Sequence, residues 1–183
     1  MKKYELTAEF IEKWGKKLFR IKALIGFGSV EAGELGGYVE KEDNLAQNGN
    51  AWVFDDAWVF DDAWVFDDAE VFDDAWVFDD AEVYGNARVY GNARVYDDAD
   101  YLLIGRIGSR FSFTTFFKNK DKGITVSCGC FLGTIAEFRA KVTDTHGNNK
   151  HAKMYNLAAD MAELQILGEE HFDKLNTNKS EPF

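Results

Sequence analysis

The chain has 183 residues, 46% of them hydrophobic and 15% aromatic, with one proline and a formal net charge of −11. No apolar run is long enough to cross a bilayer, and the two cysteines offer no disulfide framework. An acidic excess of this kind also disfavours direct binding to nucleic acid.

Residues 1–50 hold 8 basic and 8 acidic groups. The opening MKKYELTAEFIEKWGKK scatters charge where a secretory signal requires an unbroken apolar stretch, so a cytoplasmic protein is expected. An amphipathic stretch with Phe10, Ile11 and Trp14 leads into the strand-like KLFRIKAL and then a glycine-rich passage with broken alternation. We read 1–50 as an N-terminal cap and irregular first coil, because an open β-solenoid end would expose core and unpaired edges.

Between Ala51 and Asp98 one six-residue phrase recurs eight times: AWVFDD, AWVFDD, AWVFDD, AEVFDD, AWVFDD, AEVYGN, ARVYGN, ARVYDD. Ala and Val, two apart on a strand, point to one side, inward. The residue between them and the aromatic that follows point outward, and Asp-Asp or Gly-Asn supplies a corner. Such phrases fit a parallel β-helix in which three make one coil, so that residues one coil apart stack. The repeat-bearing region is expected to span 51–104.

The stacking register predicts three outer faces. Trp52, Glu70 and Arg88 lie beside Phe54, Phe72 and Tyr90. A second face carries Trp58, Trp76 and Arg94 beside Phe60, Phe78 and Tyr96. The third carries Trp64, Glu82 and Asp100 beside Phe66, Tyr84 and Leu102. Glu70 over Arg88 should form an ion pair and Trp76 over Arg94 a cation–π contact. The second face is the most aromatic, which marks Trp58, Phe60, Trp76, Phe78, Arg94 and Tyr96 as an interaction face.

Residues 51–100 carry 2 basic and 15 acidic groups. Most of the acids sit in corners that stack in columns: Asp55, Asp56, Asp61, Asp62, Asp67, Asp68, Asp73, Asp74, Asp79 and Asp80. Two readings stand side by side. The columns are turn chemistry and solubility, or they imitate a phosphate backbone and occupy the basic groove of another protein. Calcium at the columns is a weaker third reading.

Beyond the repeat, 105–172 reads as a small α+β unit. YLLIG, FSFTTFF and GITVSCGCF suggest three strands. GTIAEFRAKVTDTHG begins at a capping box, Thr134 with Glu137, and ends on Gly147; KHAKMYNLAADMAELQIL forms a second helix. Residues 173–183 are expected to be a disordered tail. Here lies the one constellation with chemical scope. Cys128 and Cys130 share a side of a strand, and His146 and His151 flank a helix junction, a set that could hold tetrahedral zinc or form a Cys–His nucleophile. Arg106 and Arg110 in GRIGSR are candidates to meet an anion, or simply to pair with acids.

The stretch FGSVEAGELGGYVEKEDNLAQNGNAWV before the repeats and DYLLIGRIGSRFSFTTFFKNKDKGITVSCGCFLGTIAEFRAKVTDTHG after them resemble a family of small phage and prophage proteins with hexapeptide repeats. The resemblance covers nearly all of 18–167. It implies a left-handed β-helix, phage origin and self-association as a dimer or trimer, and names no activity. Hexapeptide-repeat acyltransferases use a histidine on or near the coils, and γ-class carbonic anhydrases use several to bind zinc. All three histidines here, His146, His151 and His171, lie beyond the repeat. The sequence therefore points to a non-catalytic protein without a required cofactor, one that docks onto a host protein, for instance as a counter-defence inhibitor. A structural or oligomerisation spacer is the alternative, and an acyltransferase the least supported.

Overall fold

A computed structural model describes residues 2–172, apart from the side chain of Asp98. The expected tail at 173–183 lies outside the described residues. By internal contacts the chain divides at Asp98/Ala99 into two compact units, a few residues earlier than the expected boundary at 104/105.

The first unit is a β-helix of stacked parallel coils, preceded by a hairpin. Strands β1 (Tyr4–Lys13) and β2 (Lys16–Ala23) pair antiparallel. Their turn is Trp14-Gly15, with φ of 50° and 79°. Positive φ at both central residues is the hairpin geometry whose twist matches the flanking strands. β2 then pairs with β3 (Leu35–Val39), the strand of the irregular first coil.

Each phrase contributes one two-residue strand, from β4 (Trp52–Val53) through β5 (Trp58–Val59), β6 (Trp64–Val65), β7 (Glu70–Val71), β8 (Trp76–Val77), β9 (Glu82–Val83) and β10 (Arg88–Val89) to β11 (Arg94–Val95). Every third strand is a neighbour. One face is β4-β7-β10, the second β3-β5-β8-β11, and the third β6-β9, with Leu45 bridged to Val65 below it. Trp58 therefore faces Trp76, and Trp76 faces Arg94, the three-phrase winding read from the sequence. The repeat alanines and valines are 0–1% exposed, so the interior is a column of methyl groups. Backbone bonds such as Trp58 N to Ala75 O (2.9 Å) and Phe60 N to Val77 O (3.1 Å) tie each coil to the next.

The third face is shorter than the sequence suggested. Asp100 sits in a 3₁₀ turn, and Leu102 belongs to β12 (Tyr101–Ile107), where it pairs antiparallel with Phe116. Neither extends the Trp64–Glu82 stack, because the phrase ends at Asp98 and the inward-outward pattern ends with it.

The second unit is a four-stranded antiparallel meander, β12, β13 (Ser112–Lys118), β14 (Ile124–Cys128) and β15 (Phe131–Thr134), followed by α1 (Ile135–His146) and α2 (Lys150–Leu167). Where the sequence suggested a third single strand, GITVSCGCF folds as a hairpin about Gly129 and Cys130. The capping box forms as expected: Thr134 Oγ1 accepts from Glu137 N, and Thr134 N donates to Glu137. Gly147 ends α1 and Asn149 caps α2. Phe116, Val126, Phe138, Val142, Tyr155 and Ala159 form the core between sheet and helices. Arg139 clamps the helices, reaching Asp160 at 2.7 Å and the buried Glu163 at 2.6 Å. Among the described residues no helix is long and apolar enough to cross a membrane.

Candidate functional site

On the solenoid, the outward residues stack as the register requires. Trp58 and Trp76 are parallel at 4.8 Å, Phe60 and Phe78 at 5.1 Å, and Phe54, Phe72 and Tyr90 at 4.4 and 4.5 Å. Arg94 lies 3.7 Å above the Trp76 ring, and Arg88 pairs with Glu70 at 2.6 Å.

The availability of these aromatics departs from the sequence reading. Trp52 is fully buried, edge-on to Tyr4 and Phe27. Phe60 is 5% exposed, and Trp58, Trp76 and Phe78 are half-buried around Leu18 and Tyr38. The hairpin supplies the cover: Trp14 at its tip packs on Trp58, Phe60 and Trp76 with centroids 5.0–6.0 Å away. Of the expected interaction face, Tyr96 stays exposed, while Arg94 is half-buried over Trp76. The correction has a simple cause. The hairpin's apolar face would otherwise remain in water, and the aromatic ladder is the nearest surface that can bury it.

Corner aspartates divide into two classes. The first of each pair, at Asp55, Asp61, Asp67, Asp73 and Asp79, has φ between 51° and 60°. Several of these carboxylates accept a backbone N–H one coil on: Asp55 from Asp73, Asp67 from Gly85 and Asp73 from Gly91. Such residues work as corner staples, the turn-chemistry reading. The second of each pair, Asp56, Asp62, Asp68, Asp74 and Asp80, is exposed. Arg20 pairs with Asp56 and Lys41 with Asp62, while Lys16 reaches Asp61. The basic groups of the cap thus offset part of the acidic columns.

A different aromatic edge is left open. Trp64 (40% exposed) stacks on Phe66 at 4.0 Å, and Phe66 on Tyr84 (45% exposed). Trp64 lines a shallow depression of about 560 Å³ together with Glu42, Asp43, Asp62 and Glu82. Sequence reasoning missed this preference because the cover over the neighbouring face comes from a segment without the repeat's period.

The second unit holds a concavity of about 240 Å³, lined by Arg110, Cys128, Cys130, Lys141, His146 and Tyr155 together with Phe131 and Phe138. The β14–β15 turn brings Cys130 to Arg110, whose guanidinium nitrogens lie 3.7 and 3.8 Å from Sγ. That cation holds the Cys130 thiol below its ordinary range. Cys128 Sγ accepts from Thr114 Oγ1 at 3.2 Å. Burial pushes the Tyr155 hydroxyl up, and Tyr155 lines the pocket with Cys128 and Ser109. Two glycines make the arrangement sterically feasible. A Cβ on Gly108 would overlap the Tyr155 hydroxyl at 1.9 Å, and one on Gly129 would meet Arg110 at 2.6 Å.

Of the four residues proposed for zinc, Cys128, Cys130 and His146 line this pocket; His151 stands outside the lining with its ring 5.8 Å from that of His146. No three His, Cys, Asp or Glu side chains among the described residues converge to hold a metal ion, at this pocket or at the aspartate corners. Compared with known proteins, no family model and no curated protein matches the chain.

Proposed function

We propose that this protein is a non-catalytic binding protein whose β-helix docks a basic segment of a partner protein at the Trp64 edge. The reading takes the coils as left-handed, the chain as phage-derived and its setting as the host cytoplasm, as the resemblance and the opening segment imply. The observation that carries it is Trp64, an exposed indole set among Glu42, Asp43, Asp62 and Glu82. Glu42 and Asp62 hold exposed pairs with Lys2 and Lys41, weak enough to yield to an incoming lysine or arginine side chain that gains from the ring and the acids together. Exposed aromatics on a rigid scaffold also lose little entropy on binding.

Calorimetric titration with an oligo-arginine peptide tests this. Trp64→Ala keeps the net charge and should weaken binding about tenfold, or ~1.4 kcal/mol. Equal affinity in the variant would reduce the attraction to net charge and overturn the reading. Sedimentation of the same two proteins addresses self-association as a dimer or trimer: an oligomer dispersed by Trp64→Ala would make a second copy the occupant of this edge and overturn the basic-partner reading.

A further inference from the structure

The pocket of the second unit is the opposite of the acidic repeat in charge. In a chain with 32 acidic residues, its lining contains Arg110, Lys141 and His146 and not one carboxylate. Lys141 has an acidic neighbour, Asp144 at 3.4 Å, but this pair is exposed and Asp144 lies outside the lining. Exposed pairs of this kind hold weakly and leave the ammonium available. Among the described residues the Arg110 guanidinium donates to the soft Cys130 sulfur alone.

The back of the pocket is aromatic. Phe138 stands edge-on to Tyr155 at 5.7 Å and tilts against Phe131 at 5.6 Å, with Val142 beside them. Hydroxyls of Ser109 and Thr145 complete the lining. Ligand sites commonly combine an apolar back with a few convergent polar groups. The volume, just below the usual range for pockets that take drug-sized ligands, suits one substituted ring of roughly ten non-hydrogen atoms rather than a peptide.

We propose that this pocket binds a small organic anion with an aromatic body, its carboxylate or phosphate held by Arg110 and Lys141 and its ring set against Phe131, Phe138 and Tyr155. The guanidinium presents a planar fork matched to such oxyanions. Cys130 reports occupancy, because an anion on Arg110 withdraws the cation from the thiol and covers it. The site is independent of the Trp64 edge.

The test uses the full chain, with phenyl phosphate and benzoate as probes and the iodoacetamide alkylation rate of Cys130, followed by mass spectrometry, as readout. At a probe concentration about ten times its dissociation constant, alkylation should slow about tenfold. Inorganic phosphate, the anion without a ring, and benzyl alcohol, a ring without the charge, should protect far less. Lys141→Met, an exposed helix position, and Arg110→Met should each abolish the protection ratio measured within that variant. Trp64→Ala should leave it intact. No protection by either probe at millimolar concentration overturns the inference. So does equal protection by inorganic phosphate alone, or protection undiminished in both cation variants.

Discussion

Lys3 offers the sharpest quantitative check on the first unit. It is 2% exposed, its ammonium donates to Ala51 O at 2.8 Å, and it lies 4.9 Å over the Phe27 ring. Burial lowers its pKa from 10.5 to about 8. A base whose folded pKa is depressed binds fewer protons folded than unfolded, so stability must rise with pH between about 8 and 10.5. Each pH unit climbed in that window returns about 1.4 kcal/mol, and the full interval about 3 kcal/mol. Tyr4 sets the upper limit. Burial and the nearby Glu42 and Asp43 raise its pKa, so its contribution is present below the ordinary tyrosine range and lost as pH climbs past it. The informative comparison is therefore on the near side of that range. All five tryptophans lie in the first unit, so urea unfolding followed by tryptophan fluorescence reads that unit alone. From pH 7.5 to roughly 9.5 the wild-type protein should gain about 2 kcal/mol, while Lys3→Met should stay flat. A wild-type midpoint that stays level or falls, or a variant that rises in parallel, would refute the assignment of Lys3 as a desolvated ammonium.

Three further outcomes are expected. Deleting 69–86, one full coil, should leave a folded, coupled first unit, whereas deleting 69–74 alone rotates every later phrase onto another face and should broaden the fluorescence melt, a difference that limited proteolysis would also resolve. Arg139→Met strands the buried Glu163 and should cost the second unit about 3 kcal/mol, measured by amide exchange in α1 and α2. Arg110→Met should move the midpoint of the Cys130 alkylation profile to higher pH, since the thiol is held low by that guanidinium; an unmoved profile would assign the reactivity elsewhere.

The winding was legible because Ala, Val and a corner recur without interruption, and period alone fixes which strands are neighbours. The Glu70–Arg88 pair and the Arg94–Trp76 contact follow from that arithmetic. Burial of Trp52 and Phe60 was not legible, since it depends on where an aperiodic hairpin folds back, and the repeat says nothing about its neighbours. In the second unit both helices could be read from Thr134, Gly147 and their periodicity. The fourth strand was hidden because Gly129 interrupts a run whose flanks both look extended. The pocket was half visible: the cysteines and His146 stood out as reactive types, while Arg110 in GRIGSR read equally as a partner for an anion or for an acid of the chain. Tyr155 resembled an ordinary core aromatic, and only the fold brings it to Gly108 and Cys128.

The corner staples bear on how such a chain can change length. Asp55, Asp73 and Gly91 occupy equivalent positions with φ of 51°, 57° and 64°, and each carboxylate grips only the amide of the next tier. A tier therefore carries its own fastening and asks nothing of distant ones. Genetic gain or loss of three phrases at a time would lengthen or shorten the column while preserving its phase, whereas any other increment would turn everything beyond it to a new compass point. Selection on such a gene can adjust reach in whole storeys, and a corner that trades aspartate for glycine, as at Gly85, keeps its positive φ while giving up the carboxylate staple.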